Sequence, residues 1–382
     1  MIKTTGWRLF LLTFILFSAA TSSYGQVAKA EAEIRNIMQQ YDVVGLSVAV
    51  VQKEDIVYAN SFGLKDLETR TPLSNSDIFR IASISKSFTA TALQQLAEAG
   101  KLSLEDDVSN LLGFKVRNPR YPERVITLKM LLSHTSSIND SQGYFTLNSI
   151  NPAKNPEWEK CYNSYAPGTD YQYCNLNFNM AGTILEKVSV ERFDQYVKHH
   201  ILDPLGLYGG YNVDSLDGSR FTTLYAYNPD SNSFSPSPSA YAPRREAIRS
   251  YVMGQSTPIF SPTGGMKISA TDLAKYMAMH LNKGKYKGTR IISKKSAKQM
   301  QQEIARNGYG LALTTAKDLI PGKKLKGHTG SAYGLYSAMF FDPKQKYGFV
   351  VITNGCSAPD SDEYNKALAA TINSLYRHLI EK

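Results

Sequence analysis

A serine and a lysine three residues apart offer the chain a nucleophile with its own base. Ser83 lies where a loop is expected to enter a helix, and Lys86 follows at a spacing that places both side chains on one helix face. A serine hydroxyl attacks well only when a base takes its proton, and burial lowers the pKa of an ammonium group so that it can be that base. The alternative is an ordinary helix start with a solvated lysine, against which the apolar neighbours Ile81, Ile84 and Phe88 argue.

A tyrosine and an asparagine two residues apart add further polar chemistry. Tyr173 and Asn175 point to the same side of an extended segment. A phenol can move protons when cations stabilise its phenolate, and an amide can donate to a bound amide while it accepts from a lysine. The same pattern recurs at Tyr58 and Asn60, in a predicted pair of strands, where we interpret it as structural.

A glycine-rich stretch precedes a predicted strand near the end of the chain. Its residues are Gly327, His328, Thr329, Gly330 and Ser331. Glycines let a substrate backbone approach closely, an edge strand here could take up an extended peptide, and the N–H groups could hold an oxyanion. Glycine-rich turns before strands are also common, so a purely structural role stays open.

These three signals follow one another in the order Ser83, Tyr173, His328, separated by about 90 and about 150 residues. In this order they resemble the serine penicillin-recognising hydrolases, specifically the branch of class C β-lactamases and D-Ala-D-Ala carboxypeptidases. The resemblance extends over residues 29–380. Four further stretches are similar to family motifs, namely residues 131–137, 262–265, 269–273 and 351–355.

The resemblance implies a fold class and a domain organisation. The expected fold is α+β, an antiparallel sheet flanked by N- and C-terminal helices with a mostly helical inserted subdomain, as in the serine β-lactamase and penicillin-binding fold. Residues 29–66 and 264–380 would form the α/β part, and residues 67–263 the mostly helical part. Since the motifs lie in both parts, we expect one catalytic unit rather than separate modules.

The resemblance also implies a role for each candidate residue. Ser83 would be the acylated nucleophile, Lys86 and Tyr173 would share general-base and general-acid work, and Asn175 would bind an amide of the substrate. Neither a metal nor a cofactor is implied. The backbone N–H groups of Ser83 and Ser331 would form an oxyanion hole. The strand residues that would line the site are His328, Thr329, Gly330 and Ser331.

Two positions depart from the family pattern. His328 stands where true class C β-lactamases usually have lysine, and His-Thr-Gly is typical of carboxypeptidase-like and esterase-like relatives. An imidazole is mostly neutral at pH 7 and attracts a substrate carboxylate less than lysine does. Cys174 stands where serine is common, with its side chain expected to point away from its neighbours. His134, in the stretch 131–137, is interpreted as structural, holding the loop beside the site.

The expected activity is that of a serine hydrolase that forms an acyl-enzyme. D-amino-acid peptides of the D-Ala-D-Ala type are the first substrate class, and β-lactams and small esters are alternatives. A further alternative is a non-hydrolytic sensor of β-lactams or muropeptides, against which the joint presence of the first two motifs argues. The adjacent pair His199 and His200 would point to different faces of a helix, which disfavours a metal site there.

The N-terminus has the layout of a secretory signal. Lys3 and Arg8 precede an apolar run over residues 9–20, and small or polar residues follow at 22–25. We expect a signal peptide over residues 1–25 and a periplasmic or secreted protein. An N-terminal membrane anchor is the alternative, although the run is short for a span of about 20 residues. Elsewhere no stretch is long and apolar enough to cross a bilayer after cleavage.

Composition limits the partners. Of the 382 residues, 42% are hydrophobic and 20% are charged. This composition is typical of a globular protein and excludes a disordered chain or a membrane protein with several spans. Removing the two basic residues of the signal lowers the net charge from +10 to +8, with no block of like charges, so nucleic acid is not an expected partner. A small-molecule or peptide substrate remains. The three cysteines, Cys161, Cys174 and Cys356, leave open a bridge between the first two or simply buried thiols.

Hydrophobic periodicity predicts the elements that position these residues. Two segments, 139–169 and 228–243, are predicted to be loops, the second on the surface. Predicted helices cover residues 28–40, 84–96, 177–187, 193–201, 271–281 and 360–380, and predicted strands cover residues 43–52, 56–62, 335–342 and 347–354.

Overall fold

The computed structural model describes residues 25–358 and 364–381. The signal peptide predicted over residues 1–25 lies outside these ranges apart from Gly25. Gly25 already belongs to the first helix, which runs through residues 25–40.

The secondary structure alternates short strands with helices. The strands are β1 (Gly45–Gln52), β2 (Asp55–Asp66), β3 (Thr71–Pro72), β4 (Phe79–Arg80), β5 (Gly209–Gly210), β6 (Tyr225–Asn228), β7 (Ser233–Pro236), β8 (Lys267–Ile268), β9 (Lys285–Tyr286), β10 (Thr289–Arg290), β11 (Thr314–Ala316), β12 (Leu325–Ala332), β13 (Leu335–Asp342) and β14 (Tyr347–Thr353). The helices are α1 (25–40), α2 (Ser85–Glu98), α3 (Val108–Leu112), α4 (Leu128–Leu132), α5 (Asn175–Ser189), α6 (Phe193–Val197), α7 (Arg245–Arg249), α8 (Ala270–Leu281), α9 (Lys294–Gln301) and α10 (Lys366–Leu379).

The largest sheet has seven strands and is antiparallel throughout, in the order β11-β12-β13-β14-β1-β2-β3. Its central strands β1 and β14 are apolar along almost their whole length and almost entirely buried, as expected of strands covered on both faces. In the register between them, Val48 lies opposite Val351. The copy of the Tyr-x-Asn pattern on β2 is structural, since Tyr58 and Asn60 both donate to Glu31 of α1.

Alternating residues of β1 divide the core into two layers. Leu46, Val48 and Val50 pack with the apolar faces of α1 and α10, whereas Ala49 and Val51 pack in the layer that includes α8. This division follows from the two-residue period of a strand. The sheet therefore lies between the terminal helices and the rest of the chain, which confirms the predicted α+β fold class.

The segment between β3 and β8 supplies helices α2 to α7 and most of a small sheet ordered β4-β8-β5. Helix α2 is its centre, because residues 85–94 are all buried and α5 packs against it. A helix buried on all sides must enclose any polar side chain that it carries. This placement determines the environment of Lys86.

The surface loop predicted over residues 228–243 contains ordered elements instead. Strands β6 and β7 form a hairpin, and a 3-10 turn, Pro238–Tyr241, follows it. The rings of Tyr227 and Phe234 pack across the hairpin with centroids 5.2 Å apart, and Asn232 takes the positive φ that the turn needs. The serines and prolines of this segment are typical of loops, so composition concealed the hairpin.

Two smaller expectations are changed, and one open alternative is resolved. His199 and His200 both contact Glu191, at 2.7 and 2.9 Å, because a π turn, Lys198–Leu202, replaces the expected helix end. Helix α10 begins at Lys366 rather than at 360, and residues 359–363 lie outside the described ranges. The cysteines are separate buried thiols, so the pairing left open is absent from the described structure; they are Cys161, Cys174 and Cys356.

Candidate active site

Ser83 lies in a 3-10 turn that opens directly into α2. The residue before it, Ala82, has a φ of +48°, in the left-handed region that favours glycine. Ile81 anchors the turn twice: its N–H donates to the Met266 carbonyl at 2.9 Å, and its own carbonyl accepts from the Ser337 hydroxyl at 3.0 Å. Strain held in place by such contacts is common at functional turns, and here it presents Ser83 at the start of a helix.

The amino group of Lys86 joins the other polar residues of the site. Its Nζ lies 3.1 Å from Ser83 Oγ, 2.9 Å from Asn175 Oδ1 and 2.9 Å from the Thr263 carbonyl oxygen. The side chain is fully buried, and this burial lowers the pKa of Lys86 to about 7. A large share of Lys86 is therefore unprotonated at neutral pH and able to take the proton of Ser83.

The Tyr173 phenol borders the same two groups. Tyr173 and Ser83 line the same cavity, and Lys86 Nζ lies 4.7 Å from the centre of the tyrosine ring. Burial raises the pKa of Tyr173, because a phenolate would lose its hydration, while the nearby Ser83 hydroxyl lowers it less. The phenol is therefore protonated at neutral pH and suits the donation of a proton better than its removal.

The Asn175 amide is held at both ends by the protein. Its Oδ1 accepts from Lys86 and, at 2.7 Å, from the Thr263 hydroxyl. Its Nδ2 donates to Asp140 Oδ2 at 3.0 Å. The amide thus orients Lys86, a role additional to the predicted contact with a substrate amide.

Asp140 is a residue of this site that sequence reasoning missed. Its carboxylate accepts from the backbone N–H groups of Asn175 and Leu176, at 2.8 and 2.9 Å, and the Cys174 thiol donates to it at 3.2 Å. A carboxylate at the N-terminus of α5 satisfies unpaired donors and favours the positive end of the helix dipole. Asp140 lies in the predicted loop 139–169, 35 residues before α5, so no local pattern connects it with Asn175.

His328 is close to the site but does not face substrate as a cation. Its Nδ1 donates to the Thr329 carbonyl, and its Nε2 accepts from the Tyr309 hydroxyl at 2.9 Å. Burial lowers the pKa of His328 to about 4, with the nearby charge of Lys86 adding to the effect. The imidazole is neutral at pH 7, as the sequence suggested, and Tyr309 is a partner that no sequence motif indicated.

Strand β12 passes close to Ser83 at Gly330. A Cβ on Gly330 would lie 2.3 Å from the Ile81 carbonyl oxygen and 3.1 Å from the backbone nitrogen of Ser83, so only glycine fits this approach. β12 is not the edge strand that the sequence indicated, because β11 flanks it. However, β11 pairs only with residues 325–327.

His134 connects the loop and the Tyr173 segment, as predicted. Its Nδ1 accepts from the Cys174 N–H at 3.1 Å, and its carbonyl accepts from the Gln172 N–H at 3.0 Å. The His134 and Tyr173 rings lie 4.3 Å apart between centroids. Burial keeps the pKa of His134 well below its ordinary value, which suits a neutral structural imidazole.

A cavity of about 340 Å³ opens beside Ser83. The predicted residues His328, Thr329 and Gly330 do not line it. The lining residues are Arg80, Ala82, Ser83, Tyr144, Phe145, Tyr173, Asn175, Ser261, Thr263, Gly264, Ser331, Ala332 and Tyr333.

In the described part of the chain, no cluster of His, Cys, Asp and Glu side chains is arranged for a metal ion, and no helix has the length and apolarity to cross a bilayer.

Known relatives match most of the chain. Protein flp of Staphylococcus aureus strain MW2 is 27% identical over 335 residues, which cover 84% of this chain. The match spans only 61% of the length of that relative. Penicillin-binding protein 4 of Amycolatopsis lactamdurans is 27% identical over 340 residues, which cover 83% of this chain and 82% of the relative.

A solved structure and a family profile agree with these relatives. The octameric penicillin-binding protein homologue from Pyrococcus abyssi is similar to this chain with a TM-score of 0.71 and 27% identity, covering 92% of this chain and 77% of the homologue. The profile of the family described as Beta-lactamase matches residues 30–373. That range includes the sheet, the helices around it and the site at Ser83, and the chain therefore belongs to the beta-lactamase family.

Proposed function

We propose that the protein is an exported serine hydrolase that cleaves amide or ester bonds through an acyl-enzyme on Ser83. The first substrate class is D-amino-acid peptides of the D-Ala-D-Ala carboxypeptidase type. The observation that carries this proposal is the buried Lys86 Nζ at 3.1 Å from Ser83 Oγ. A nucleophile and a base whose pKa is near neutrality are what acyl transfer requires. Export is supported by Lys3, Arg8 and the apolar run at 9–20.

In the proposed acylation step, Lys86 takes the proton of Ser83 while Oγ attacks the substrate carbonyl. The N–H groups of Ser83 and Ser331 would stabilise the resulting oxyanion. Tyr173, a protonated phenol that lines the cavity with Ser83 and lies beside Lys86, is suited to pass a proton to the leaving group. The proton held by Lys86 then passes to the Tyr173 phenolate, which restores the free base of Lys86 and the phenol of Tyr173. Lys86 next takes a proton from the water that attacks the acyl-enzyme, and Ser83 recovers its proton as the acyl group leaves.

A second candidate is an esterase or amidase for substrates that lack a carboxylate beside the scissile bond. The neutral His328 favours it, since an imidazole with a pKa of about 4 offers no cation to such a carboxylate at pH 7. The same feature disfavours efficient β-lactam turnover. One relative is described as a penicillin-binding protein and another as a homologue of one, which supports penicillin as a probe of the site.

Covalent labelling tests the proposed nucleophile. A fluorescent penicillin or an alkyl phosphonate should add one adduct to the protein in intact-mass spectra, and Ser83→Ala should abolish it. Ser76→Ala is the matched control, because Ser76 is exposed and outside the cavity. An adduct of equal yield on the Ser83 variant would overturn the assignment.

Turnover separates the substrate classes. The rates with nitrocefin, a D-Ala-D-Ala peptide and p-nitrophenyl acetate should rank the peptide first for a carboxypeptidase. Ester turnover alone would favour the second candidate. Labelling without any turnover would favour the alternative of a β-lactam or muropeptide sensor.

A further inference from the structure

One buried cation of the cavity has no part in the proposed chemistry. Arg80 is only 7% exposed and lines the same cavity as Ser83. Its guanidinium donates to the carbonyls of Gly264 at 3.0 Å and Ala240 at 3.2 Å, and the Tyr333 ring lies 4.8 Å from its central carbon. Within the described residues, no carboxylate forms an ion pair with Arg80.

A buried charge without a counter-ion is costly, so its presence needs an explanation. A further cation, Arg244, is close enough to act on Arg80. Lys267, which pairs with Arg80 between β4 and β8, supplies no counter-charge: it is buried, its Nζ donates to the Tyr211 carbonyl at 2.7 Å, and burial lowers its pKa well below the ordinary value. Asp214 contacts the backbone N–H of Arg244 and the side chain of Arg245. The positive charge around Arg80 is therefore open to a negatively charged ligand.

The guanidinium also has donors to spare. It carries five N–H groups in a planar fork that suits a carboxylate. The Gly264 and Ala240 carbonyls take two of them, and the Tyr333 ring covers one face of the guanidinium. Since Arg80 lines the cavity, its remaining N–H groups are available to an anion bound there.

Strand β12 shows on which side of Ser83 this cation lies. Gly330 is opposite the Ser83 backbone, His328 is two residues before it, and Tyr333, which stacks on Arg80, is three residues after it. At about 3.3 Å per residue, His328 and Ala332 are separated by about 13 Å along β12, and Tyr333 begins the turn that follows the strand. Arg80 and His328 therefore lie on opposite sides of the reacting serine.

The proton donor indicates which half of the substrate lies on each side. The Tyr173 ring lies 6.2 Å from the His328 ring, so a leaving group that receives a proton from Tyr173 lies toward His328. The acyl half then extends toward Arg80. We propose that Arg80 is an anion subsite for a carboxylate on the acyl half of the substrate.

This proposal rests on the proposed acyl-enzyme at Ser83 and narrows its substrate class. The substrate is an amide or ester whose acyl donor carries a carboxylate, such as a peptide with an acidic side chain in its acyl-donor half. The aromatic side chains around Arg80 would cover the carbon chain between that carboxylate and the reacting carbonyl. They are Tyr144, Phe145 and Tyr333.

A matched pair of esters tests the subsite in the wild-type protein. 4-Nitrophenyl hydrogen glutarate carries the carboxylate on its acyl half, and its methyl ester is the neutral counterpart. We expect kcat/KM to be at least about tenfold higher for the anionic ester, with the preference falling as ionic strength rises. 4-Acetoxybenzoate carries its carboxylate on the leaving group instead, so its kcat/KM should not exceed that of phenyl acetate.

Variants assign the preference to Arg80. Arg80→Gln should remove the preference for the anionic ester while Ser83 is still labelled by the phosphonate, and Arg80→Lys should keep part of it. Arg249→Gln is the matched control, since this arginine has the same charge and its side chain is 78% exposed on α7. If Arg80→Gln lowers kcat/KM equally for the anionic and the neutral ester, Arg80 has a structural role and the proposal is overturned.

A binding experiment keeps the proposal testable even if Arg80→Gln does not fold. Glutarate should bind the Ser83→Ala protein and dimethyl glutarate should bind at least about tenfold more weakly, measured by calorimetry. If Ser83 is never acylated, the proposed function fails, whereas glutarate binding still reports on the subsite. If Ser83 is acylated but the wild type shows no preference for either carboxylate probe, only the subsite proposal fails.

Discussion

At the scale of single residues, Lys86 is suited to exist in two protonation states without moving. Its Nζ has three oxygen neighbours, on Ser83, Asn175 and Thr263. An ammonium can donate to all three. A neutral amine can donate to the amide and the carbonyl oxygens and accept the Ser83 proton. The same geometry therefore serves before and after proton transfer.

This arrangement predicts a pH profile. The free base of Lys86 is the reactive form, so the rate of acylation should fall as pH drops below about 7 and level off above it. Lys86→Ala should lower the rate by about 10²- to 10⁴-fold while the fold persists. Stopped-flow acylation by a chromogenic ester between pH 5 and 9 measures both effects.

The imidazole beside the site supplies the control for this profile. The pKa of His328 is about 4, so His328→Gln should keep the fall near pH 7. A profile that stays flat from pH 5 to 9 in the wild type would contradict the assignment of Lys86 as the base. The same fall in Lys86→Ala, at an unchanged rate, would contradict it equally.

At the scale of elements, the N-terminus of α5 holds the site together through Asp140. The carboxylate fixes the Asn175 backbone and side chain, and the amide in turn orients Lys86. Asp140 also raises the pKa of Lys86 against the larger lowering by burial. Asp140 therefore acts as a positioning residue with two separable effects, one on helix stability and one on charge.

Two substitutions separate these effects. Asp140→Asn keeps an acceptor for α5 but removes the charge, so the pKa of Lys86 should fall further and the drop in acylation rate should move to lower pH. Asp140→Ala should show that shift and also lose about 1 kcal/mol of unfolding free energy through the missing cap. The pH profile and urea unfolding of both variants check this. An unshifted profile in Asp140→Asn would assign Asp140 a purely structural role.

Strand β12 supports a second prediction at this scale. In Gly330→Ala, the new Cβ would clash with the Ile81 carbonyl oxygen, from which it would be 2.3 Å away, and push the Ser83 turn from the strand. A displacement of about 1 Å at a reacting group can cost about 10²-fold, so acylation should fall by that order. Gly218→Ala is the control, because its Cβ would meet its nearest neighbour, Phe221, only at 4.0 Å. If Gly330→Ala is labelled as fast as the wild type, the Ser83 turn accommodates the new Cβ without displacing the nucleophile, and the prediction is wrong.

The sequence was informative where chemistry is local and uninformative where it is assembled through space. Ser83 with Lys86, and Tyr173 with Asn175, are visible as short patterns, and the apolar periodicity of β1, β14 and α8 predicted their place in the fold. Asp140 and Tyr309 reach the site from segments that carry no recognised motif, so no spacing identifies them. Thr263 lies in the stretch 262–265 that resembles a family motif, but its contacts with Lys86 and Asn175 could not be predicted from that resemblance. The hairpin of β6 and β7 was missed because its serines and prolines are typical of loops and its short strands carry little apolar pattern.

At the scale of the whole molecule, the buried amino group of Lys86 lowers the free energy of unfolding. The unfolded chain holds Lys86 with its ordinary pKa of 10.5, whereas burial lowers the pKa of Lys86 to about 7 in the folded protein. Between these values the unfolded state binds the extra proton, so this lysine destabilises the fold more as pH falls from 10.5 to 7. Below pH 7 both states are protonated and the penalty is constant.

Removal of Lys86 should therefore change how stability depends on pH. When the pH falls from 9.5 to 6.5, the unfolding free energy of the wild type should drop by ~3 kcal/mol more than that of Lys86→Met. The penalty grows by about 1.4 kcal/mol for each pH unit between the two pKa values. Urea unfolding at the two pH values measures this difference. Lys295→Met, at an exposed position of α9, should leave the pH dependence of the wild type unchanged. If Lys86→Met and the wild type keep a constant difference across this range, then Lys86 enters the fold with an ordinary pKa and cannot be the base that acylation at neutral pH requires.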